Sequence, residues 1–243
     1  AISLGGGHIC AVIYDEPLKC WGHNTLGQVG DGTCSNQPPC ATSSGLHVGS
    51  VRIPTEVGIL NGTQGVTSVS AGKRYTCAIS VDETIWCWGS NTGGQFGGQL
   101  GSGGNDYLYP IEHCGLQKYV DPAHFEHALT FGWVIECSDG WQSISSGSDH
   151  SCAIMSNGTL QCSGFNWYGQ LGNGECTYYT SNLYANCTAD PNPPTATAEI
   201  DSVTHVSAGG RVTCAISGNG SLYCWGENTM GVVGDGTCSG LPF

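Results

Sequence analysis

Eight of the 15 cysteines in this 243-residue chain form four pairs, each ten residues apart: Cys10/Cys20, Cys77/Cys87, Cys152/Cys162 and Cys214/Cys224. Each pair brackets an apolar run, a turn and a second run, as in "CAIMSNGTLQC", which reads as a β-hairpin. An even separation around a three-residue loop puts both cysteines on one face, directly opposite each other. The spacing therefore predicts four intra-hairpin disulfides. Such loops favour a type I turn closed by a left-handed residue, a role that Gly158 and Gly220 fill without steric cost.

The other seven cysteines divide similarly. Cys34 and Cys40 bracket a short loop, Cys176 and Cys187 bracket another in the corresponding place, and Cys114 and Cys137 pair within one long excursion. Cys238 aligns with Cys34 and Cys176 and is left unpaired in this chain. Its expected partner falls beyond Phe243, so it points to a piece of something longer rather than to a reactive thiol. Zinc sites favour Cys-x(2–4)-Cys pairs, and none occurs. So many cysteines at disulfide spacing indicate an oxidising, extracellular compartment. Four N-glycosylation sequons agree, at Asn61, Asn157, Asn186 and Asn219, with Asn157 and Asn219 at hairpin tips. Asn186 is the awkward one, because its middle residue is Cys187. The expectation is a secreted eukaryotic chain carrying N-linked glycans.

Other chemistry is sparse. "DHS", Asp149 to Ser151, has the letters of a catalytic triad, but consecutive strand residues point to opposite faces and cannot converge. His8 and His150 share one repeat position with Tyr75 and Val212, and read as packing residues. "GGGH" at Gly5 is no phosphate loop, since neither Gly-Lys-Ser/Thr nor a helix follows. "VDPAHFEHALTF" reads as a short helix with Asp121 as N-cap and Pro122 at its first position. His124 and His127 share a face of it with His113 nearby, which leaves a metal site and an ordinary surface helix both open. "GDGT" at Gly30 and Gly234 lacks the alternating oxygen ligands of calcium loops and reads as a turn. No catalytic group, cofactor or metal is assigned.

Composition sets the class. Gly numbers 39, charged residues make up 10% and apolar ones 39%, a profile of short strands joined by tight turns rather than of disorder. The net charge of -13 with six Lys and Arg excludes a basic face for nucleic acid or an anionic membrane surface. No run approaches the roughly 20 apolar residues of a spanning helix. A secretory leader, if the chain had one, is already removed.

The elements that must position these cysteines repeat four times. The blocks are "HICAVIYDEPLKCWGHNTLGQVGDGTC", "YTCAISVDETIWCWGSNTGGQFG", "HSCAIMSNGTLQCSGFNWYGQLGNGEC" and "VTCAISGNGSLYCWGENTMGVVGDGTC". Approximate repeat boundaries are 1–65, 66–140, 141–200 and an incomplete 201–243. After each hairpin, Trp-Gly-x-Asn-x-x-Gly-Gln-x-Gly reads as a tight crossing where backbones approach closely. Trp21, Trp88 and Trp225 are expected to wedge between neighbouring sheets. In the third block Ser163 takes that place, and Trp167 is expected to fill the space. These blocks resemble the repeats of the regulator-of-chromosome-condensation superfamily, a group that also takes in β-lactamase-inhibitor-like propellers, and particularly its secreted, cysteine-bearing members. The resemblance implies an all-β propeller with a four-stranded antiparallel sheet per blade. Propellers close with roughly 4–8 blades, and part of a larger ring is expected here.

The family's founding member is a nuclear exchange factor for a small GTPase on chromatin. Disulfides, sequons and acidity argue against that role, and its residues are not carried over. The expected function is a non-enzymatic structural or adhesive glycoprotein module of a cell surface, matrix or filamentous appendage. Its partners would be protein chains, foremost copies of itself. The alternative is a secreted protein-binding propeller of inhibitor or receptor type. A sugar-acting lyase or hydrolase ranks third, since no convergent carboxylates or histidines are evident.

Overall fold

The computed structural model describes residues 1–32, 49–57, 65–91, 140–173, 200 and 202–236, and gives the backbone of four further strands, 106–113, 118–119, 133–134 and 195–196. Among the described residues the fold is all-β. Four antiparallel sheets follow one another as propeller blades, each traced in simple up-and-down order. Blade 1 is β1 (Ile2–Leu4), β2 (His8–Ala11), β3 (Lys19–His23) and β4 (Ser50–Glu56). Blade 2 is β5 (Val66–Ala71), β6 (Tyr75–Ser80), β7 (Ile85–Ser90) and β8 (Asp106–His113). A two-stranded pair follows it, β9 (Lys118–Tyr119) and β10 (Trp133–Val134). Blade 3 is β11 (Trp141–Ser146), β12 (His150–Met155), β13 (Leu160–Gly164) and β14 (Thr195–Ala196). Blade 4 shows β15 (Val203–Gly209), β16 (Val212–Ser217) and β17 (Leu222–Gly226). The first strands β1, β5, β11 and β15 lie side by side in chain order along one edge of the arc.

The central hairpin of each blade has the expected register. Cys10, Cys77, Cys152 and Cys214 stand directly opposite Cys20, Cys87, Cys162 and Cys224. All four pairs are disulfide-bonded, with Cα atoms 4.0–4.1 Å apart. Three-residue loops close the second, third and fourth hairpins, where Ser80, Met155 and Ser217 donate N–H to Thr84, Thr159 and Ser221. The third loop residue is left-handed in each: Glu83, Gly158 and Gly220, at φ 65°, 83° and 84°. Only glycine takes that conformation at no cost, so Glu83 carries some local strain.

In the inner blades both sheet faces are covered, and this changes how a strand reads. All six residues of β6 and of β12 are buried. The alternation is therefore not polar against apolar but large against small. Tyr75, Cys77 and Ile79 face the next blade, whereas Thr76 and Ala78 face the previous one. The glycine after each hairpin Trp position is forced by the neighbouring strand. A Cβ on Gly89 would lie 2.7 Å from the Arg74 carbonyl oxygen, and one on Gly164 2.5 Å from that of Asp149.

Three apolar clusters fill the three seams between blades. Cys10, Leu18, Cys20 and Val29 of blade 1 meet Val69, Ala78 and Trp88 of blade 2. Tyr75, Ile79 and Ile85 of blade 2 meet Trp141, Ile144 and Met155 of blade 3. Ile154, Leu160 and Leu171 of blade 3 meet Val203 and Ala215 of blade 4.

Seven cysteines (Cys34, Cys40, Cys114, Cys137, Cys176, Cys187 and Cys238) lie outside the described residues, as do Asn61 and Asn186. So do His124, His127 and the helix expected from Asp121, while His113 is placed by backbone alone at the end of β8. The expectation for Trp167 is corrected. That residue is 49% exposed, its ring centroid 5.0 Å from that of Phe165. The room left by Ser163 lies instead in the seam occupied by Tyr75 of the preceding blade, whose hydroxyl donates to the His150 carbonyl at 2.6 Å and lies 2.8 Å from Ser151 Oγ.

Because the hairpin bridge acts through closure of a loop of about eleven residues, removing it has a bounded cost. The double variant C77S/C87S is expected to lose up to roughly 3 kcal/mol of unfolding free energy in urea titration, with the native near-ultraviolet circular dichroism retained.

Candidate functional site

The polar groups that recur in this molecule gather at the seams. At the first seam the backbone carbonyl of Gln28 accepts two hydrogen bonds from blade 2, from Thr76 Oγ1 at 2.7 Å and from Trp88 Nε1 at 3.0 Å. The Thr76 hydroxyl has one proton, and it goes to that carbonyl. His8 Nε2, 2.7 Å from Thr76 Oγ1, must therefore be the donor to the hydroxyl oxygen. The result is a directed relay from His8 through Thr76 to Gln28. It fixes the Nε2–H tautomer and leaves Nδ1 buried without a partner among the described residues.

The third seam repeats it. Gln170 O accepts from Thr213 Oγ1 at 2.8 Å and from Trp225 Nε1 at 2.9 Å, and His150 Nε2 lies 2.8 Å from Thr213 Oγ1. Beside each relay, a disulfide sulfur sits close to the same hydroxyl, Cys10 Sγ 4.0 Å from Thr76 and Cys152 Sγ 3.9 Å from Thr213. The middle seam uses Tyr75 in place of histidine and Ser151 in place of threonine. A second link runs along the inner edge. Ser3, Ser70 and Ser145 accept the backbone N–H of Ala71, Ser146 and Ala208 of the next blade at 2.8–2.9 Å.

An asparagine holds the relay carbonyl in place. Asn24 Oδ1 accepts the Val29 N–H at 2.9 Å while its amide donates to Asp31 at 3.1 Å, bending the chain around Gln28. Asn166 does the same with Leu171 and Asn173, and Asn228 with Val233 and Asp235. The aspartates of "GDGT" thus close loops. The sequence reading missed Asn24, Gln28 and Ser3. Their signal was present, because asparagine recurs in all four blocks, but a loop asparagine shows its partners only once the crossing is folded.

Burial sets the electrostatics. Desolvation lowers the pKa of both His8 and His150 to about 4, with His23 adding a smaller repulsion at His8. Burial likewise raises Tyr75 well above the ordinary tyrosine value, opposed in part by its hydrogen bonds to Ser151 and Ser146. A neutral, fully buried imidazole whose free nitrogen meets no solvent has nothing to exchange a proton with, so its geometry suits a structural link. Among the described residues no group of three or more His, Cys, Asp or Glu is placed to hold a metal ion, and no helix is long and apolar enough to cross a membrane.

Outside the seams, two features face solvent. Asn157 and Asn219 sit exposed at hairpin tips, their Oδ1 atoms accepting the N–H of Thr159 and Ser221. On blade 3, exposed Trp167 stands beside Phe165 and Tyr168, and the Arg211 guanidinium lies 4.8 Å above the Tyr168 ring.

Two predictions follow the relay. A histidine with its folded pKa near 4 binds protons more weakly folded than unfolded, so stability is complete above about pH 6.5 and falls as pH drops towards 4. By pH 5 each histidine is expected to have cost about 2 kcal/mol, read from urea midpoints across pH, and H8Q/H150Q should flatten that slope. T76V strands the His8 N–H and is expected to cost about 1–3 kcal/mol, whereas T76S should restore most of it.

Comparison with known proteins places this architecture. Family models described as "Regulator of chromosome condensation (RCC1) repeat" match residues 66–95, 141–170 and 203–232, and residues 20–79, together more than half of the chain. The ultraviolet-B receptor UVR8 of Arabidopsis thaliana is 26% identical over 272 residues, covering 97% of this chain and 54% of the relative. The mitochondrial RCC1 domain-containing protein RUG3 of the same plant is 25% identical, covering 93% and 42%. The chain thus spans about half the length of these relatives. Among solved structures, yeast RCC1 (Prp20) bound to Kap60 aligns with 99% of this chain and 46% of its own, at TM-score 0.69 and 20% identity. Human WBSCR16 aligns with 100% and 52%, at TM-score 0.66 and 19% identity. Repeated motif, blade topology and family match agree, and the chain belongs to the regulator of chromosome condensation (RCC1) repeat family.

Proposed function

We propose that this propeller is a non-enzymatic protein-interaction module of an oxidising, extracellular compartment, with a structural or adhesive role. The observation that carries the proposal is the disulfide in the central hairpin of every blade, with at least two of the four set against a seam relay. A reducing cytosol would keep these thiols free, and an oxidising space lets them stiffen each blade. The exposed sequons at Asn157 and Asn219 point the same way, since both side chains reach solvent at turns where a glycan has room. Solved relatives of this fold are described with protein partners, yeast RCC1 (Prp20) bound to Kap60 and Prp20p with binding properties to Gsp1p and histones. Protein partners are the class of ligand proposed here, without those identities. The net charge of -13 fits a partner that is not itself strongly acidic.

One observation favours the alternative, a secreted propeller that grips a specific ligand as an inhibitor or receptor does. Phe165, Trp167 and Tyr168 form an aromatic group found on blade 3, with Arg211 against it, and rigid aromatics with a cation are common anchors at interfaces.

The compartment is tested by expression through the secretory pathway of a eukaryotic host. The expected product is secreted, resists alkylation of Cys10, Cys77, Cys152 and Cys214 before reduction, and shifts in gel mobility on glycosidase treatment. N157Q/N219Q should remove part of that shift. Freely alkylated hairpin cysteines with no glycan would overturn the extracellular reading. Loss of partner capture in W167A, at unchanged stability, would select the gripping propeller over the structural one.

A further inference from the structure

The loop that follows the third strand is built alike from block to block, and only the third block loads it with rings. Asn24, Asn166 and Asn228 make the same hydrogen bond in it, accepting the N–H of Val29, Leu171 and Val233. Around that asparagine blade 3 carries Phe165 and Trp167, where the other blocks carry His23 and Thr25, Ser90 and Thr92, Glu227 and Thr229. The loop therefore folds without aromatic residues at these positions. Folding does not account for an indole left 49% exposed there, with Phe165 against it and Tyr168 next in the chain. A gathered, exposed apolar group that the fold does not require marks a contact with something else.

The groups linked to this trio are polar and held in place. At the internal seam between blades 3 and 4, the Arg211 guanidinium lies 4.8 Å above the Tyr168 ring and donates to its hydroxyl at 3.0 Å. Arg211 also donates to Glu227 Oε2 at 3.4 Å, and Glu227 Oε1 accepts from Thr229 Oγ1 at 3.1 Å. The arginine side chain is 47% exposed, so the rest of its fork of donors faces solvent beside a carboxylate acceptor. The site stands at the end of the sheet away from the hairpin tips. The Phe165 N–H donates to the Asp149 carbonyl at 2.9 Å beside the turn into β12, whereas Asn157 lies beyond the other end of that strand. A glycan on Asn157 projects away from it.

Charge and size select the ligand. Arg211 and Glu227 cancel, so the site is locally neutral, and the net charge of -13 disfavours an anionic ligand. Half of one indole offers roughly 100 Å² of apolar surface, against roughly 800 Å² per partner in a stable protein interface. A pyranose ring fits better. Its axial C–H groups make an apolar face about as wide as an indole, and its vicinal hydroxyls each donate and accept, which a paired guanidinium and carboxylate answer side by side. Consecutive Cα atoms are about 3.8 Å apart, so one short oligosaccharide reaches both Trp167 and the groups around Tyr168. We propose that Phe165, Trp167, Tyr168 and Arg211 form a binding site for an uncharged pyranose glycan. The sugar face stacks on Trp167, and its hydroxyls are hydrogen-bonded by Arg211 and Glu227. The proposal rests on the gripping-propeller reading above and names the class of ligand gripped.

The test is calorimetric titration of the 243-residue chain, freed of any N-glycans of its own so that they do not occupy the site. The probes are cellohexaose, chitohexaose and mannohexaose, with a heparin hexasaccharide as the anionic counterpart. At least one of the three uncharged sugars should bind. W167T carries the residue of the other three blocks, so it should keep the urea midpoint and weaken binding roughly tenfold or more. W167F should fall between W167T and the parent chain. R211Q, at unchanged stability, should weaken binding about fivefold through the lost hydrogen bonds. The inference is overturned if no uncharged sugar binds, if the heparin fragment alone binds, or if W167T binds as tightly as the parent. A protein partner captured through Trp167 that none of the sugars displaces also overturns it, while leaving the gripping propeller standing. A secreted, disulfide-bonded chain that binds no sugar would sink the glycan site and keep the compartment. Free hairpin thiols in a chain that binds sugar through Trp167 would do the reverse.

Discussion

The molecule depends on a backbone carbonyl that has no partner within its own blade. Gln28 O and Gln170 O lie at the crossing after a hairpin, buried where the next blade packs, and each accepts a threonine hydroxyl and a tryptophan indole from that blade. A buried carbonyl without a hydrogen bond is costly, so blades 1 and 3 are each completed by the blade that follows. Around this constraint the rest is arranged. Asparagine loops aim the carbonyl outward, glycines open the berth, and histidine closes the relay from behind. Apolar clusters supply most of the burial at a seam, but they are not directional. The relay sets the register in which two blades meet.

The middle seam shows that the constraint is one of shape and polarity together. Blade 2 brings the larger Tyr75, and blade 3 answers with Ser151 and Ser163 where blades 2 and 4 have threonine and tryptophan. The tyrosine hydroxyl still finds the His150 carbonyl and the serine hydroxyl, although the buried Trp141 indole N–H of the same cluster has no partner among the described residues. The outer seams pair a histidine from the earlier blade with a tryptophan from the later one, whereas the middle seam has Tyr75 facing two serines. The same economy of space explains why strands such as β6 alternate large and small residues, since a sheet packed on both faces has no solvent side to mark with polar ones.

The disulfides work at a different level. Each closes a short local loop and stiffens one blade, and none of the four described joins two blades. Among the described residues, coupling between blades runs through the seams, where burial lowers the pKa of His8 and His150 and favours their neutral form. A propeller built this way has rigid units joined by directional polar seams.

By itself the sequence determined whatever depends on local spacing. Ten residues between cysteines, with a turn midway, allow one hairpin register, and four such blocks with Trp-Gly and Gly-x-Gly crossings imply blades. The left-handed loop residue was legible at Gly158 and Gly220 for the same reason, although not at Glu83. What the sequence could not show is the partner of any group whose bond crosses a seam. Ser163 looked like a gap to be filled from nearby Trp167, but chain proximity is no guide when the neighbour comes from the preceding blade, and Tyr75, 88 residues earlier, shares that seam instead. His8 read as packing, and only its 2.7 Å approach to Thr76 gave it a tautomer and a direction. Tertiary structure decided these points because a buried polar atom takes whichever partner the packing brings within reach, and that distance is not encoded along the chain.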